Sequence, residues 1–202
     1  ETGKSLSKRI CPINGTTVKS CINCKTCAIM NGFGGAGAFS DGKYNITNMF
    51  GGTLCNYIGK NKALSLMKYV DEINVQNGGE GTKLYSTENT KIKTLCLEHD
   101  LHLLDASVRH LGTDINYIVL ENLYNVLKEK VDIFFEPPVK TIEKDGDEYL
   151  IVTNSQKYSA KNVIVSVGRS GSKRVEEVCE SLDIKKESSR VDIGVRVELP
   201  AE

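Results

Sequence analysis

The chain has 202 residues, enough for one sizeable hydrophobic core or for part of a larger protein, but tight for two full domains. Its 26 Lys and Arg residues balance 26 Asp and Glu residues, so no net charge draws it to nucleic acid or to an anionic membrane. No apolar run approaches the roughly 20 residues that a membrane-spanning helix needs, and no signal peptide opens the sequence. We therefore expect a cytoplasmic protein without nucleic-acid or membrane partners, and no pattern predicts its oligomeric state.

The first 58 residues are rich in Gly, Asn, Ser and Thr and have little apolar periodicity. They predict loops held on a scaffold. Residues 59–130 predict a helical segment. Its first helix starts behind a cap at Asn61, repeats apolar residues three and four positions apart, and stops at Gly78. Its second helix follows Ser86, with Glu88 in its first turn.

The third predicted helix has the clearest pattern. Thr113 or Asp114 caps its start, and Lys128 and Lys130 suit the negative end of its dipole. One face is expected to pack against the rest of the protein, and it comprises Ile115, Ile118, Val119, Asn122 and Val126.

Residues 131–190 change from helical to extended spacing. Strands are predicted over residues 139–143, 148–153 and 156–159, with a hairpin turn at Asp145-Gly146, which together indicate a β-meander. Residues 163–165 are all apolar, as in a strand buried within a parallel sheet, and they lead into a turn at Gly168. A helix over residues 175–182 and a last strand over residues 191–199 complete a predicted α/β fold.

Gly32, Gly34 and Gly37 form a literal G-x-G-x-x-G. A true dinucleotide fingerprint follows a buried strand, opens a helix and has an acidic residue about 20 positions later. Here cysteines precede the glycines, and no Asp or Glu lies between Asp41 and Asp71. The motif is therefore not that fingerprint, and two interpretations remain for residues 34–37: a bare backbone surface for a flat ligand, or a mobile surface loop.

The seven cysteines are an odd number, which does not suit a disulfide framework. Four of them have the spacing C-x9-C-x2-C-x2-C and could hold Zn²⁺ or an iron–sulfur cluster. The alternative is that they are reduced structural or redox thiols. These four candidate metal ligands are Cys11, Cys21, Cys24 and Cys27.

Several blocks together resemble a known family. They are residues 9–12, the cysteine cluster, residues 32–43 (GFGGAGAFSDGK), residues 110–114 (HLGTD) and residues 163–171. The combination is similar to the bacterial FAD-dependent dehydrogenases often labelled NAD-utilising dehydrogenases, which belong to the glutathione-reductase-like flavoproteins. The resemblance implies that the chain is a central piece of an FAD domain, with β-meander and inserted helices. It also implies that the fingerprint βαβ unit lies upstream of residue 1 and that residues 191–202 start a substrate-facing region.

The resemblance also implies contacts with FAD. These are Glu1 with the adenosine ribose, Arg9 near the adenosine, Gly34, Gly35, Ala36 and Gly37 along the flavin or its ribityl chain, Val139 with adenine through its backbone, and Gly168 with the diphosphate or ribityl chain. Each residue also has a plain structural interpretation: a charged chain end for Glu1, a solvated charge for Arg9, an ordinary strand residue for Val139 and a strand terminus for Gly168.

The function that the resemblance implies is hydride transfer through FAD to or from a small-molecule substrate, with NAD(P)H suggested by the family label. The full-length protein is expected to be the active enzyme and the isolated chain to be inactive. Because the flavin itself accepts hydride, no catalytic triad is required. Asp41, Lys43 and His110 are polar candidates, but no catalytic residue is identified. The alternative function is a non-enzymatic metal-binding or interaction module built on the four cysteines.

Overall fold

The computed structural model describes residues 1–135, 138–187, 193–195 and 198. These residues form a mixed α/β structure with two three-stranded antiparallel sheets and several helices. The chain divides into a first unit, Glu1–Pro138, and a second unit, Val139–Glu202. Among the helices within the described ranges, none has the length and apolar character needed to span a bilayer.

The first unit opens with irregular backbone, as its composition predicts, interrupted by 3₁₀ turns at Leu6–Lys8 and Gly35–Phe39. Its sheet contains β1 (Lys43–Ile46), β2 (Leu84–Ser86) and β3 (Ser107–His110), in the order β1-β3-β2. Both strand pairs are antiparallel. The central strand β3 pairs with β1 on one side and with β2 on the other, so it holds together two strands that are far apart in the sequence.

The described residues of the first unit contain four helices: α1 (Leu54–Ile58), α2 (Lys60–Asn74), α3 (Thr90–Glu98) and α4 (Thr113–Leu127). A π turn over Val75–Gly79 follows α2. Helices α2, α3 and α4 confirm the three helices that the sequence predicts for this segment. They could be predicted because an apolar repeat of three and four residues is a local property of the sequence.

The predicted starts of these helices are wrong by a few residues. Asn61 lies inside α2, because Gly59 is the residue before the helix. The second helix starts after Asn89, whose side chain accepts a hydrogen bond from the backbone amide of Ile92 at 3.1 Å. Gly112 precedes α4, so Thr113 is already helical. Several residues near a helix start can cap it, and the backbone path decides which one does.

The buried face of α4 differs from the predicted one. Val119 is fully buried as predicted, but Ile118 is 47 % exposed, Val126 is also exposed, and Asn116, which lies outside the predicted face, is fully buried. The reason is that α4 packs against the 3₁₀ turn over Gly35–Phe39, which lies far away in the sequence. The other buried apolar residues of the first unit are Leu6, Ala38, Ile46, Ala63, Ala106 and Leu111.

The second unit contains the predicted meander. Strands β4 (Val139–Asp145), β5 (Glu148–Thr153) and β6 (Lys157–Ala160) form an antiparallel sheet in sequence order. Asp145 pairs with Glu148, so the hairpin loop is Gly146 and Asp147, with Gly146 at a φ of +59°. Helix α5 (Ser172–Ser181) lies against β4, where Val178 and Ile142 are buried.

The predicted buried strand over residues 163–165 is wrong. These residues are irregular, and Ile164 is 91 % exposed. A strand in a parallel sheet needs neighbouring strands at its edges and cover on both faces, and the strand pairs within the described ranges are all antiparallel and do not include it. The predicted strand over residues 191–199 lies largely outside the described residues.

Candidate functional site

The structure brings together two blocks that are far apart in the sequence, residues 32–42, called the glycine loop below, and residues 110–114. The backbone amide of Leu111 donates to the carbonyl of Gly42 at 3.0 Å, and that of Gly112 donates to the carbonyl of Asp41 at 2.8 Å. These bonds continue the β1–β3 ladder toward the start of α4. The end of the glycine loop is therefore hydrogen-bonded to the segment that joins β3 to α4, and these parts together form the candidate site.

Asn116 of α4 holds the glycine loop from its buried side. Its Nδ2 donates to the carbonyl of Gly37 at 2.9 Å and also lies 3.4 Å from the carbonyl of Ala38. Its Oδ1 accepts a hydrogen bond from the hydroxyl of Tyr44 at 2.9 Å. Both ends of a fully buried amide are thus satisfied, so the loop is anchored by a specific polar contact.

Arg9 connects the cysteine-rich segment to the glycine loop. Its guanidinium donates to the carbonyls of Ala28 at 2.8 Å, Ile29 at 2.7 Å and Phe33 at 2.6 Å. It also lies 4.7 Å from the centre of the Phe39 ring, within cation–π distance. Burial lowers the pKa of Arg9 from its ordinary value. The residue is only 5 % exposed, so its interpretation as a solvated charge is wrong.

Glu1 also contacts the glycine loop. Its Oε1 accepts hydrogen bonds from the backbone amides of Gly3 at 3.0 Å and Gly32 at 3.1 Å. Glu1 is therefore more than a charged chain end, because it fixes the entry to the loop. The predicted contact of Glu1 with a ribose stays a prediction.

The two sides of the glycine loop differ. At Gly34, with φ at +81°, an added Cβ would lie 2.9 Å from Cδ1 of Leu120 on α4, so that side is packed. At Gly35 and Gly37, an added Cβ would meet no atom within 4 Å. Ala36 lies between these two glycines and is exposed. The loop therefore presents exposed backbone to the outside while its inner side is held by α4.

The three polar candidates lie at one end of the β1–β3 ladder. Lys43 pairs with His110 across the strands, and its Nζ lies 3.0 Å from Oδ2 of Asp41. The hydrogen bond from Lys43, and secondarily its charge, lowers the pKa of Asp41. All three residues are exposed, which makes them accessible to a ligand without giving any of them a catalytic geometry.

The four candidate metal ligands occupy the irregular segment before the glycine loop. Cys21 and Cys24 are exposed, and Cys11 and Cys27 are partly buried. Within residues 1–135, 138–187, 193–195 and 198, no group of three or more His, Cys, Asp or Glu side chains has an arrangement that could hold a metal ion. The four thiols are therefore close in sequence but do not form a closed ligand shell in this structure.

Two of the residues that the resemblance implicates in FAD binding belong to the second unit. Val139 starts β4, an edge strand of its sheet, and pairs with Thr153. Gly168 has a φ of +65°, and its carbonyl accepts a hydrogen bond from Gly171 at 3.2 Å just before α5. A turn and a helix follow Gly168 as predicted, but no strand precedes it.

Asn116 is the site residue that the sequence patterns did not identify. The apolar pattern of α4 includes the neighbouring Ile115 and Ile118 and gives no role to Asn116. An Asn in the interior of a helix is unfavourable by propensity, and such a residue is a signal that its amide is used elsewhere.

Comparisons with protein-family models, with curated proteins and with solved structures found no match to this chain.

Proposed function

We propose that this chain forms part of an FAD-dependent oxidoreductase and that its glycine loop lies against the flavin or its ribityl chain. The observation that carries the proposal is the asymmetry of the loop: Gly35 and Gly37 leave open space on its outer side, whereas Asn116 and Leu120 hold its inner side. A flat ligand can approach such a backbone closely because no side chain intervenes.

The residues present fit this role as a supporting surface. A preorganised loop loses little conformational entropy when it binds a ligand, and this one is held by Arg9, Glu1 and Asn116 through hydrogen bonds to its backbone or to the segment before it. Bound FAD would supply the hydride-accepting ring. The chain would orient the flavin through the glycine loop. The exposed side chains of Asp41, Lys43 and His110 would supply charge at the end of the β1–β3 ladder that adjoins this loop.

The proposal can be tested in the natural protein that contains this chain. Flavin released from the purified protein would be identified by chromatography, and its molar ratio to protein would be measured by absorbance. In the variant Gly37→Val the new side chain starts in open space at a residue without positive φ, so the fold has no reason to change. We expect its affinity for FAD to fall roughly ten-fold or more, which corresponds to at least about 1.4 kcal/mol.

A matched pair of variants separates ligand exclusion from backbone strain. Gly35 and Gly15 both have positive φ and open space around an added Cβ, but Gly15 lies in a separate exposed turn. Gly35→Val should therefore lower flavin occupancy and Gly15→Val should not, although both carry similar strain. A protein that binds no FAD, or a Gly37→Val variant with unchanged affinity, contradicts the proposal.

The second candidate function is metal binding by Cys11, Cys21, Cys24 and Cys27. Its structural support is a hydrogen bond from the backbone amide of Asn23 to Sγ of Cys21, at 3.4 Å, where Asn23 has a φ of +52°. Hydrogen bonds of this kind tune cysteine sulfurs in metal sites. Since the four thiols do not converge here, this function requires the segment to rearrange around the ion.

Elemental analysis of anaerobically purified protein tests this second function. If the four cysteines share one zinc ion or cluster, Cys24→Ser should remove nearly all the metal, because a closed site with an apparent binding energy on the order of 10 kcal/mol depends on every ligand. Cys179→Ser in α5 is the control and should leave the metal content unchanged. Metal-free protein with all four thiols titratable rules this function out.

A further inference from the structure

Two of the seven cysteines lie on an exposed stretch of the first unit. In the part of the chain that the structure describes, residues 19–26 are all exposed and lie outside the helices and strands. Cys21 and Cys24 are the two cysteines of this stretch, and neither is in a disulfide. Both residues are therefore accessible to small molecules in solution.

The turns on either side of this stretch are fixed by hydrogen bonds. Before it, the backbone amide of Asn14 donates to the carbonyl of Val18 at 3.1 Å, and Oδ1 of Asn14 accepts from the amide of Val18 at 3.0 Å. After it, the carbonyl of Cys27 accepts from the backbone amide of Asn31 at 2.9 Å, and Arg9 binds the carbonyls of the two residues that follow Cys27. Cys27 is thus held in place and partly buried, whereas the backbone around Cys21 and Cys24 can adjust.

The backbone between Cys21 and Cys24 suits the closure of a disulfide. The amide of Asn23 donates to Sγ of Cys21 at 3.4 Å, so this sulfur lies on the side of Cys24. Asn23 has a φ of +52°, the left-handed conformation that the third residue of a type II turn adopts and that Asn tolerates. The ends of such a turn are less than about 7 Å apart at Cα, and disulfides join Cα atoms about 4.4–6.8 Å apart. A turn over residues 21–24 would therefore bring the two thiols within bonding range.

The charge along the chain near the two cysteines is positive. Residues 2–40 contain four Lys, one Arg and no Asp or Glu, although the whole chain has no net charge. Lys19 and Lys25 flank the pair and are exposed. Accessible cysteines in positive surroundings are the reactive ones, and positive surfaces attract anions. We propose that Cys21 and Cys24 form a reversible intramolecular disulfide by exchange with small, negatively charged disulfides.

The exchange transfers two electrons from the cysteines to the disulfide reagent. The thiolate of one cysteine attacks a sulfur of the reagent, which breaks its S–S bond and releases one thiolate. The other cysteine then attacks the mixed disulfide, forms the Cys21–Cys24 bond and releases the second thiolate. The two protons of the cysteine thiols end on the two released thiols. A reducing dithiol reverses the reaction, since exposed disulfides are the labile ones.

Peptide mapping tests the proposal in the natural protein that contains this chain. The reduced protein would be treated with dithiodipropionate, its remaining free thiols blocked by alkylation, and the product digested with trypsin. Cleavage after Lys19 and Lys25 isolates residues 20–25 (SCINCK), which contain Cys21 and Cys24 but no other cysteine. We expect mass spectrometry to show this peptide with an internal disulfide and without a bound probe group, and dithiothreitol to restore both thiols.

A second probe tests the role of charge. Cystamine is similar in length to dithiodipropionate but carries two ammonium groups in place of two carboxylates. Each rate would be divided by the rate of the same probe with N-acetylcysteine amide, which removes the intrinsic difference between the probes. We expect a roughly three-fold or larger preference for dithiodipropionate at low ionic strength, and a ratio that falls toward unity as salt screens the charges.

Three variants assign the ring to this pair. Cys21→Ser and Cys24→Ser should each stop the reaction at the mixed disulfide, so the peptide keeps one probe group. Cys27→Ser should still form the internal disulfide, because Cys27 lies on the anchored side of the stretch. This result also separates the proposal from the metal-binding function, which needs all four cysteines.

The remaining outcomes contradict the proposal. A stable probe adduct on the unsubstituted peptide, a disulfide from this peptide to Cys11 or Cys27, or a normalised preference for cystamine overturns it. Thiols that react only after a chelator has removed a metal ion also overturn it, in favour of the metal-binding function. Flavin content is not an outcome of this experiment, so its failure is distinct from a failure of the proposed oxidoreductase function.

Discussion

Asn116 shows how a single buried side chain determines the shape of the candidate site. Its amide lies between the glycine loop and Tyr44, donating to the carbonyl of Gly37 and accepting from the Tyr44 hydroxyl. No apolar residue of similar size can make both contacts. The residue therefore acts as a positioning residue for the loop, and its removal should loosen the loop more than its small size suggests.

Replacement of Asn116 by Asp should strongly destabilise the first unit. A carboxylate would face the carbonyl of Gly37 without a donor, and the Tyr44 hydroxyl would be the one hydrogen bond left to it; a buried charge without its partner typically costs about 3–5 kcal/mol. Asn122→Asp on the same helix is the control, because Asn122 is exposed and makes one hydrogen bond to the carbonyl of Asn77. Urea unfolding gives the free energies, and equal losses in the two variants contradict the role of Asn116.

Tyr44 makes a pH-dependent contribution to stability. Burial raises the pKa of Tyr44 above its ordinary value of 10.0, because the neutral phenol is favoured in the folded protein. This contribution is fully present below that ordinary value and is lost as the pH rises through the higher folded pKa. In Tyr44→Phe, the free energy of unfolding should start about 1 kcal/mol lower at neutral pH and fall less steeply above about pH 10. Parallel pH profiles of the two proteins contradict this prediction.

At the scale of the elements, the ion pair between Asp71 and Arg109 joins α2 to the central strand β3. Arg109 also donates from Nη1 to the carbonyl of Thr82 at 2.8 Å, just before β2. Both charged side chains are mostly buried. One guanidinium therefore connects a helix, a strand and the connection between them.

Removal of one partner of this ion pair should cost more than removal of both. Arg109→Met leaves Asp71 buried and unpaired, and we expect a loss of about 3–5 kcal/mol in the free energy of unfolding. Arg109→Met combined with Asp71→Leu should recover most of that loss, because the buried charge is gone. Additive effects in the double variant contradict this interpretation.

The pair of Lys93 and Asp105 is the matched control. It is also short, at 2.7 Å, but its side chains are much more exposed. Lys93→Met should therefore cost less than about 1 kcal/mol.

At the scale of the whole molecule, balanced charge coincides with exposed apolar side chains. The formal net charge is zero and the isoelectric point is about 7.0, while Ile10, Tyr57 and Ile164 are among the large apolar residues that are strongly exposed. A protein without net charge loses the electrostatic repulsion that opposes association through such groups.

The solubility of the chain should therefore be lowest near pH 7.0 and rise on either side. Equilibrium solubility in a fixed concentration of precipitant measures this. Tyr57→Glu adds a charge at a side chain that is 83 % exposed, and it should move the minimum to a lower pH. A minimum that stays in place in this variant contradicts the electrostatic explanation.

Local patterns of the sequence determined several elements of this protein. The apolar repeat of α2, the pattern of α4 and the alternating residues around Gly146 predicted two helices and a hairpin that the structure contains. The three strands of the β-meander, β4, β5 and β6, were also predicted from their local sequence. These elements form because their main determinants, periodicity and turn chemistry, act between residues close in the chain.

The tertiary structure alone decided how remote residues meet. Nothing near Arg9 in the sequence shows that its guanidinium binds three carbonyls beyond residue 27, and nothing near Asn116 shows that Gly37 is its partner. The same limit explains the error at residues 163–165, since an apolar run becomes a buried strand only when other strands cover it. Periodicity and turn chemistry act within a few residues, whereas burial and polar pairing depend on which distant segments pack together, so only the folded chain shows the candidate site.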